Sequence, residues 1–478
     1  MITPSSNVTC SQRERQSLLE FRQGLTDESN RLSTWTGVEC CEWQGVGCDS
    51  RHGHIVKLDL RSPLSFTNDV STLNTSKWLE GKISPSLLNL KHMRYLDLSM
   101  NNFSGQNIPE FFGSFKYLEY LNLSSSGFSG VVPPHLGNLS RLQYLDLSSY
   151  EVYFEYDNTL MVKDDMRWVS LLSSLKYLDL SWITIGNDID WFHPVNTLPS
   201  LFTLYLARCD IKISSIKSIN STSVKSLDLY GNYITSTIPV WLSNLTSLVY
   251  LRLKENNFHG RIPDSIGNLS SLSIISLAYN QLAGPIPPSL GRLSSLRALS
   301  LYANQLSGSI PESIGQLTKL QVLWLSKNQL SGSIPASLGQ LANLKQLHLS
   351  SNQLSGAISE IHFIKLNNLT GLSLYNNPLT LNVSPHWIPP FQLKYFFASS
   401  CNIGPRFPSL IRKSTHLQHL YLSNASIRDN LPEWFESISS HLYYLDLSDN
   451  QMSGNLPRIR NRSPDPISGI NQYYTTFM

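Results

Sequence analysis

A leucine or isoleucine returns every 24 residues through the middle of the chain, and this period constrains the fold more than any other feature. The series runs through Leu227, Leu251, Ile275, Leu299, Leu323 and Leu347. A fixed period of about 20 to 50 residues is typical of proteins that stack one structural unit many times. Because such arrays grow by adding units, a length of 478 residues does not imply several separate cores.

The residues around each periodic position predict the structure of one unit. The pattern L-x-x-L-x-L alternates leucines with variable residues, as a strand with one buried face requires. An asparagine follows the last leucine by three positions, and we expect its amide to satisfy buried backbone groups. These asparagines are Asn232, Asn256, Asn280, Asn304, Asn328 and Asn352. A period of about 20 to 29 residues with this pattern is the signature of a leucine-rich repeat.

We expect about sixteen repeats at 54–457, between an N-terminal cap at 8–53 and an irregular tail at 458–478 that provides no C-terminal cap. The predicted strand centres are Leu58, Leu96, Leu121, Leu145, Leu178, Leu204, Leu227, Leu251, Ile275, Leu299, Leu323, Leu347, Leu372, Phe396, Leu420 and Leu445. Two inserts break the spacing, at 61–78 and 149–167. Insertions in repeat proteins map to loops on one face, often the binding face.

The cap is predicted to begin with an amphipathic helix. Ser11 and Glu14 have the S-x-x-E spacing of a capping box, and Gly24 is expected to end the helix. Trp35 and Trp43 are large enough to cover the open end of the first repeat.

The cysteines fall into two groups. Four of them precede the first repeat: Cys10, Cys40, Cys41 and Cys48. They lack the paired C-x2-C spacing of a zinc ribbon, so they predict disulfides. Adjacent Cys40 and Cys41 do not readily pair with each other, which leaves two cross-connectivities. Cys209 and Cys401 each occupy the position of a repeat asparagine, too far apart to pair, and are expected to be buried free thiols.

Composition and sequons predict an extracellular protein. The net charge of +3 gives no reason to expect a nucleic-acid or acidic-membrane partner. There is no run of 18 apolar residues, and the start MITPSSNVTC lacks a signal-type apolar stretch, so we expect a secreted protein whose signal is absent from this sequence. The candidate glycosylation sites are Asn7, Asn74, Asn102, Asn138, Asn220, Asn244, Asn268, Asn368, Asn382 and Asn424. Asn122 and Asn461 also lie in sequons, but a glycan on Asn122 would intrude on a strand.

No catalytic signature is present, so we predict a protein that is not an enzyme and has no cofactor or metal. The motifs of serine hydrolases, zinc proteases, P-loop proteins and kinases are all missing. Asp97, Asp146 and Asp179 lie on adjacent predicted strands, and neighbouring carboxylates can hydrolyse glycosides. Each aspartate, however, belongs to the recurring phrase Y-x-D-x-S, so we interpret the column as structural.

Binding is predicted on the outward residues of the strands, on the concave face. Aromatic and cationic residues of the kinds that dominate binding energetics are frequent there. The candidates are Tyr205, Tyr230, Arg252, Lys254, Tyr279, Tyr302, Trp324, His348, Tyr375, Phe397 and Tyr421. The acidic and aromatic second insert adds Tyr153, Phe154 and Tyr156.

The repeat phrase L-x-x-L-x-L-S-x-N-x-L-S-G-x-I-P-x-S-L-G-x-L resembles the plant-specific leucine-rich repeat, and ERQSLLEFRQGLTDESNRLSTW followed by CCEWQGVGCD resembles the plant N-terminal cap. With GHIVKLDL, WVSLLSSLKYLDLS and WIPPFQLKYFFASSCNIGPRFP, the chain is similar to plant receptor-like proteins of the disease-resistance kind, in particular the xylanase-recognising and apple-scab-resistance groups. The resemblance covers about residues 8–457. It implies an α/β solenoid: a superhelix with a concave parallel β-sheet, 3-10 turns or loops on the convex side, and an N-terminal disulfide cap.

The resemblance further implies pairings Cys10–Cys40 and Cys41–Cys48 and an extracellular recognition ectodomain in immunity. Such receptors bind a microbial protein or peptide elicitor and signal through membrane receptor kinases as adaptor and co-receptor. The implied location is the apoplast, or the outer face of the plasma membrane if the full gene product has a membrane helix. The island, the terminal repeats and the membrane helix of the family do not occur in this sequence. The alternative function is a soluble secreted inhibitor or decoy that binds microbial cell-wall hydrolases.

Overall fold

The computed structural model of the chain describes residues 9–63, 77–149, 160–213 and 223–454. The chain forms two units, Met1–Ile234 and Thr235–Met478, and each contains a series of parallel strands. The tail at 458–478 and most of both inserts lie outside the described residues, so the predicted domain boundaries stay a prediction.

In the first unit, an antiparallel cap strand, Val46–Cys48, pairs with the first strand of a parallel sheet. The parallel strands are Ile55–Asp59, Tyr95–Asp97, Tyr120–Asn122, Tyr144–Asp146, Tyr177–Asp179, Thr203–Tyr205 and Ser226–Asp228. Their register matches equivalent residues of successive repeats, as in Leu96 opposite Leu121. Repeat periodicity therefore appears in space as columns of equivalent side chains.

The second unit continues the same pattern. Its parallel strands are Tyr250–Arg252, Ile274–Ser276, Ala298–Ser300, Val322–Trp324, Gln346–His348, Gly371–Ser373, Tyr395–Phe397, His419–Tyr421 and Tyr444–Asp446. All sixteen predicted strand centres lie within the parallel strands of the two units. The central residue of these strands, usually leucine, points into the core, as in Leu299 and Leu323, both fully buried.

The rest of each repeat is made of 3-10 turns and short strands. The 3-10 helices are Cys40–Glu42, Pro85–Asn89, Glu110–Ser114, Pro134–Asn138, Arg167–Leu171, Val240–Asn244, Asp264–Asn268, Pro288–Arg292, Glu312–Gln316, Ala336–Gln340, Glu360–Phe363 and Ser409–Ile411. The α-helices are Gln12–Gln23, Phe192–Asn196 and Phe435–Ser439. The short strands are Leu25–Thr26, Glu80–Gly81, Gly130–Val131, Leu160–Met161, His259–Gly260, Gln281–Gly284, Gln305–Gly308, Gln329–Gly332, Gln353–Leu354, Gly356–Ile358 and Leu379–Leu381.

Proline sets the start of many of these turns. Pro263, Pro311 and Pro335 each occupy the residue before a 3-10 helix, with φ near −67°. Proline fixes φ in this range and has no N–H to leave unpaired. The Ile-Pro pair of the repeat is thus the point at which the chain turns back toward the next strand.

The prediction that the repeat asparagines form hydrogen bonds with buried backbone groups is confirmed. The Asn304 side-chain amide donates to the carbonyl oxygens of Leu277 and Leu301 at 3.0 and 3.2 Å, and its Oδ1 accepts from the N–H of Leu282 at 3.0 Å. One side chain therefore satisfies groups of its own repeat and of the preceding one, as buried polar groups require.

The residue before each of these asparagines has a left-handed backbone. Glu255, Tyr279, Ala303, Lys327 and Ser351 all have φ between 52° and 54°. This region is unfavourable for residues with a side chain. The stacked hydrogen bonds of the array hold it in each of these repeats.

Cys209 and Cys401 are buried free thiols at the asparagine position, as predicted. The Cys209 Sγ–H donates to the carbonyl of Leu180 at 3.1 Å, and Cys401 donates to Leu374 at 3.2 Å. Burial raises the pKa of the Cys401 thiol to about 11, so it remains protonated and serves as a donor. Each cysteine thus replaces part of what the asparagine amide provides.

In the cap, the disulfides Cys10–Cys40 and Cys41–Cys48 confirm the pairing that the family resemblance implies. Trp35 and Trp43 are buried and stack at 5.5 Å.

The predicted capping box is wrong, because the Ser11 side chain makes no cap hydrogen bond. Glu14 is instead buried, and its carboxylate accepts from the Ile55 N–H at 3.0 Å. This bond ties the cap helix to the first parallel strand. The sequence pattern could not predict this hydrogen bond, because the two residues are far apart along the chain.

Arg31 makes a second connection between the cap and the repeats. Its guanidinium donates to the carbonyls of Leu60 and Lys77 and to the Oδ1 of Asn101 at 2.7 to 3.0 Å. A single arginine therefore satisfies backbone and side-chain acceptors of two repeats.

Candidate ligand-binding face

The outward side chains of the parallel strands form one surface on each unit, which we call the sheet face. On the first unit it carries a ladder of stacked tyrosines. The ring centroids of Tyr95, Tyr120, Tyr144 and Tyr177 lie 4.1 to 4.2 Å apart, with interplanar angles of 8° to 11°. Each ring covers its neighbours, so this half-buried ladder is a packed layer. No tyrosine in it has a fully exposed flat face.

A column of carboxylates runs beside the tyrosines. Asp97, Asp146 and Asp179 are buried, and the Oδ1 of each accepts from the backbone N–H two residues later at 2.9 to 3.0 Å. The Tyr144 hydroxyl approaches the Oδ2 of Asp146 at 3.3 Å. Ser148 also donates from its hydroxyl, at 2.7 Å. The carboxylate oxygens are therefore engaged in holding the strand ends.

Burial and mutual repulsion act on this column. Burial raises the pKa of Asp146, and burial together with the charge of Asp146 raises the pKa of Asp179. Asn122 replaces aspartate between Asp97 and Asp146, and its Oδ1 accepts from the Ser124 N–H at 2.9 Å just as the aspartates do. An amide there keeps the hydrogen bond without adding another negative charge, which reduces the electrostatic cost of the column.

The last strands of the first unit replace this ladder with a cation sandwich. The Arg208 guanidinium lies between the rings of Trp182 and Tyr230, 4.9 and 5.0 Å from their centroids, and donates to the Tyr230 hydroxyl at 2.9 Å. The predicted candidate Tyr205 contacts the Ser226 hydroxyl at 2.9 Å. The sequence prediction missed Trp182 and Arg208. Both occupy the second x of the phrase L-x-x-N, the residue before the asparagine position, and this position also faces outward.

On the second unit, the sheet face is apolar and aromatic. Ala278, Ala298, Tyr302, Val322 and Trp324 form a packed cluster on it. Small residues at 278 and 298 leave room for the Tyr302 and Trp324 rings to lie across neighbouring strands.

Further rings extend this aromatic cluster along the sheet. Trp324 stacks on His348 at 5.6 Å, and His348 meets the edge of Tyr395 at 6.0 Å. Phe397 meets Tyr421 at 5.0 Å. The contacts link residues on successive strands, so the cluster has a defined shape before any ligand arrives.

The burial of three candidates corrects the expectation that they are exposed. Trp324 is 1% exposed, His348 4% and Tyr302 8%. The reason is that outward side chains on adjacent strands pack on one another. These three residues support the face, and a ligand cannot contact Trp324 without displacing other rings.

Other candidates remain within reach of a partner. Tyr279 is 45% exposed and packs edge-on against Tyr302 at 5.0 Å. Half-buried candidates are Tyr205, Tyr230, Arg252, Lys254, Tyr375, Phe397 and Tyr421. Tyr153, Phe154 and Tyr156 lie outside the described residues.

Two lysines flank the aromatic cluster. The Lys254 ammonium lies 5.6 Å from the Tyr279 ring centroid, and Lys327 lies 5.4 Å from that of Tyr302. Lys254 also lies 3.8 Å from the Glu255 carboxylate, the pairing expected for neighbouring charges. The face thus combines a rigid aromatic centre with a charged margin, the arrangement typical of protein and peptide interfaces.

The sequence prediction also missed Tyr395, His419 and Tyr444 on this face. His419 stacks on Tyr444 at 5.1 Å. The sequence could have indicated these residues, because both neighbours of the central residue in a strand point outward. The prediction used mainly the residue after each strand centre and left out the one before it.

Several candidate glycosylation sites lie on the described surface. Asn138, Asn244 and Asn268 are exposed, each as the last residue of a 3-10 helix. Asn368, Asn382 and Asn424 are exposed and Asn102 is half-buried, whereas Asn7, Asn74 and Asn220 lie outside the described residues. Within the described part of the chain, no helix is long and apolar enough to cross a membrane.

The chain matches three families of this fold. Residues 226–456 match the leucine-rich repeat region, residues 11–49 the leucine rich repeat N-terminal domain, and residues 92–115 and 117–139 the leucine rich repeat. These matches cover most of the cap, three parallel strands of the first unit and the parallel strands of the second unit.

Relatives and a solved structure agree with them. The chain is 40% identical to receptor-like protein EIX1 of Solanum lycopersicum and 38% identical to EIX2 of the same species, over 94% of this chain and 53% of each relative. It thus spans about half the length of these relatives. The plant peptide hormone receptor RGFR1, solved in complex with RGF2, superposes with a TM-score of 0.60 and 28% identity over 87% of this chain and 73% of the receptor. The chain therefore belongs to the plant leucine-rich-repeat receptor-like proteins.

Proposed function

We propose that this chain is the recognition part of an extracellular plant immune receptor, and that the sheet face of its second unit binds a microbial protein or peptide elicitor. The observation that carries the proposal is the aromatic cluster on that face, in which Trp324 stacks on His348 and the exposed Tyr279 packs against Tyr302. Tyrosine, tryptophan and arginine contribute a disproportionate share of binding energy in protein interfaces. A cluster that is already packed loses little side-chain entropy on binding.

The chemistry of the face favours binding over catalysis. Tyr279 and Phe397 offer apolar area, while Lys254 and Lys327 offer cations at the margin. This combination suits a polypeptide with apolar anchors and acidic flanks. The peptide complex of RGFR1 supports the proposal as a precedent in a protein of the same fold.

Signalling would depend on partners. We propose that membrane receptor kinases act as adaptor and co-receptor, and that the protein works in the apoplast or at the outer face of the plasma membrane. The exposed sequons at Asn138, Asn244 and Asn268 are consistent with passage through the secretory pathway.

The experiment compares two exposed tyrosines with matched backbone conformation. Tyr279, on the proposed face, and Tyr233, in the first unit, have φ of 54° and 56° and are 45% and 67% exposed. The wild-type chain is immobilised and used to capture proteins secreted by fungal cultures, and the affinity of the captured protein is measured by calorimetry. We expect Tyr279→Ala and Phe397→Ala to weaken binding by about tenfold or more.

The control Tyr233→Ala should leave the affinity unchanged. Equal affinities for wild type, Tyr279→Ala and Phe397→Ala would refute the proposed face. Thermal unfolding of each variant separates a loss of binding from a loss of fold.

A further inference from the structure

A second surface of the first unit has the composition of a binding site and is not part of the sheet face. It is a cavity of about 700 Å³ at the edge where the strands begin. The lining residues that matter come from the loop before the first strand and from the turns before the next two: Arg51, His52, His54, His92, Arg94 and Tyr117. We propose that this cavity binds an acidic oligosaccharide, a chain of linked uronic acid residues.

Flat side chains form a continuous row across this edge. The ring centroids of His52 and His54 lie 6.0 Å apart, those of His54 and His92 4.0 Å apart, and those of His92 and Tyr117 6.1 Å apart, all stacked. Arg141 from the following repeat extends the row, its guanidinium 4.8 Å from the Tyr117 centroid. The row thus crosses four successive repeats, which suits an extended ligand better than a single small ion.

The row is exposed on the side away from the core. The His52 side chain is 70% exposed, and Tyr117 is 40% exposed. Within the row, His54, His92 and Tyr117 are each flanked by neighbours on both sides, so a ligand meets mainly ring edges, whose nitrogen and hydroxyl groups can form hydrogen bonds with the hydroxyl groups of a sugar. An oligosaccharide repeats such hydroxyl groups at regular intervals.

The charges select an acidic ligand. Arg51 and Arg94 line the cavity, and Arg141 ends the row; guanidinium groups recognise carboxylates with two parallel hydrogen bonds. Three carboxylates lie nearby, but each has protein partners. The Asp49 carboxylate accepts from the N–H groups of Arg51, His52 and His54 at 2.8 to 3.0 Å.

The other two carboxylates are Glu14 and Glu119. Glu14 is buried, accepts from the Ile55 N–H and lies 3.4 Å from the His54 Nδ1. Glu119 lies 3.9 Å from Arg94, and their side chains are 40% and 59% exposed. Because exposed pairs of this kind contribute little, a ligand carboxylate can compete for Arg94 at small cost.

The same hydrogen bonds hold the site in shape. Asp49 fixes the loop that carries His52 and His54, and the parallel strands fix His92 and Tyr117 at the same offset, three residues before Tyr95 and Tyr120. A site whose side chains are already placed loses less entropy when a ligand binds.

The test uses oligogalacturonic acid of ten residues as the probe and measures its affinity for the whole chain by calorimetry. We expect wild-type binding that weakens as salt is added. Arg94→Gln and Tyr117→Ala should each lower the affinity by about fivefold to tenfold. Arg94→Lys should restore part of it.

The chain offers a matched control for Arg94. Arg297 is exposed and directly precedes the strand Ala298–Ser300, as Arg94 directly precedes Tyr95–Asp97. Arg297→Gln should bind the probe as wild type does. The same loss in both variants would mean that the probe responds to overall charge, and the proposed site would be refuted.

Two further probes identify the ligand class. The fully methyl-esterified oligosaccharide keeps the rings without the charges, and poly-glutamate keeps the charges without the rings. Both should bind at least about tenfold more weakly than the acid. Equal binding of either probe, or no binding of oligogalacturonic acid at all, would overturn the proposal. The site is independent of the proposed elicitor face, so Tyr279→Ala should leave binding of this probe unchanged.

Discussion

The phenol ring of Tyr395 lies directly over Gly371, its partner in register on the neighbouring strand. A Cβ atom at position 371 would overlap the ring atoms Cε2 and Cζ. The ring is 4% exposed and meets the imidazole of His348 edge-on. Because glycine has no side chain, position 371 leaves space for the Tyr395 ring of the next strand. This packing shapes the sheet face of the second unit.

Gly371→Ala should displace the Tyr395 ring and destabilise the chain by about 1 to 3 kcal/mol, the usual cost of overpacking. The measurement is urea unfolding of the full chain. In the background Tyr395→Ala, the same Gly371→Ala change should be neutral or slightly stabilising, because the obstruction is gone and alanine loses less backbone entropy than glycine. Equal destabilisation in both backgrounds would contradict the close approach.

Trp324→Ala should destabilise the second unit by about 3 to 5 kcal/mol, because it empties a buried aromatic site. Tyr279→Ala, which truncates an exposed ring on the same face, should cost less than about 1 kcal/mol. Denaturant unfolding distinguishes the two. If Trp324→Ala unfolds with the stability of wild type, the packed aromatic support does not exist in solution.

His348 should make the second unit less stable in acid. Burial lowers the pKa of His348 to about 4, whereas an exposed histidine titrates near 6.5. Between these two pKa values the unfolded chain therefore binds more protons than the folded chain. The contribution of the neutral His348 to stability is full above about pH 6.5 and is lost as the pH falls toward 4. The loss is on the order of 3 kcal/mol.

The measurement is hydrogen exchange of the strand Val322–Trp324 at pH 7 and pH 5, corrected for the intrinsic exchange rate. His348→Phe should abolish the pH dependence assigned to this residue. A wild-type strand with equal protection at both values would count against a buried neutral imidazole.

The carboxylate column should give the first unit the opposite response. The pKa values of Asp146 and Asp179 are raised, so the folded chain binds more protons than the unfolded chain at intermediate pH. Their contribution to stability is full below the ordinary aspartate pKa, near 3.9, and is lost as the pH rises through the raised values.

The strand Tyr177–Asp179 should therefore gain protection from exchange on going from pH 7 to pH 5. Asp179→Asn should flatten this response, since the amide keeps the size of the carboxylate without the charge. Greater protection at pH 7 would show that the sign is wrong.

Ser351→Gly should stabilise the chain by about 1 kcal/mol. Ser351 has φ of 52°, a conformation that costs a residue with a side chain about 1 to 2 kcal/mol and glycine almost nothing. Ser333→Gly is the matched control, an exposed serine outside the left-handed positions, and should be destabilising by about 0.5 to 1 kcal/mol. Thermal unfolding of both variants checks the prediction, which fails if the two changes have the same sign.

The repeat pattern was sufficient to predict the parallel strands and the asparagine bonds, because both depend on residues at fixed offsets. Leu299 is buried and Asn304 is bonded to the backbone in the manner expected of any repeat of this type. The cap disulfides could be assigned from the family resemblance, whereas the residues alone left two pairings open. The capping box failed because Glu14 found a partner in Ile55, which no local pattern indicates.

Alternation along a strand is a local property, so the sequence was sufficient to predict which side chains face the core and which face outward. The tertiary structure alone decided which outward side chains stay accessible. Trp324 and Tyr279 are both outward aromatics, yet the first is buried and the second is 45% exposed. The difference depends on the sizes of residues one repeat away, such as Ala298 beside Trp324 and Gly371 beneath Tyr395. Parallel strands lie only about 4.8 Å apart, so each outward ring is covered or uncovered by its neighbours on adjacent strands.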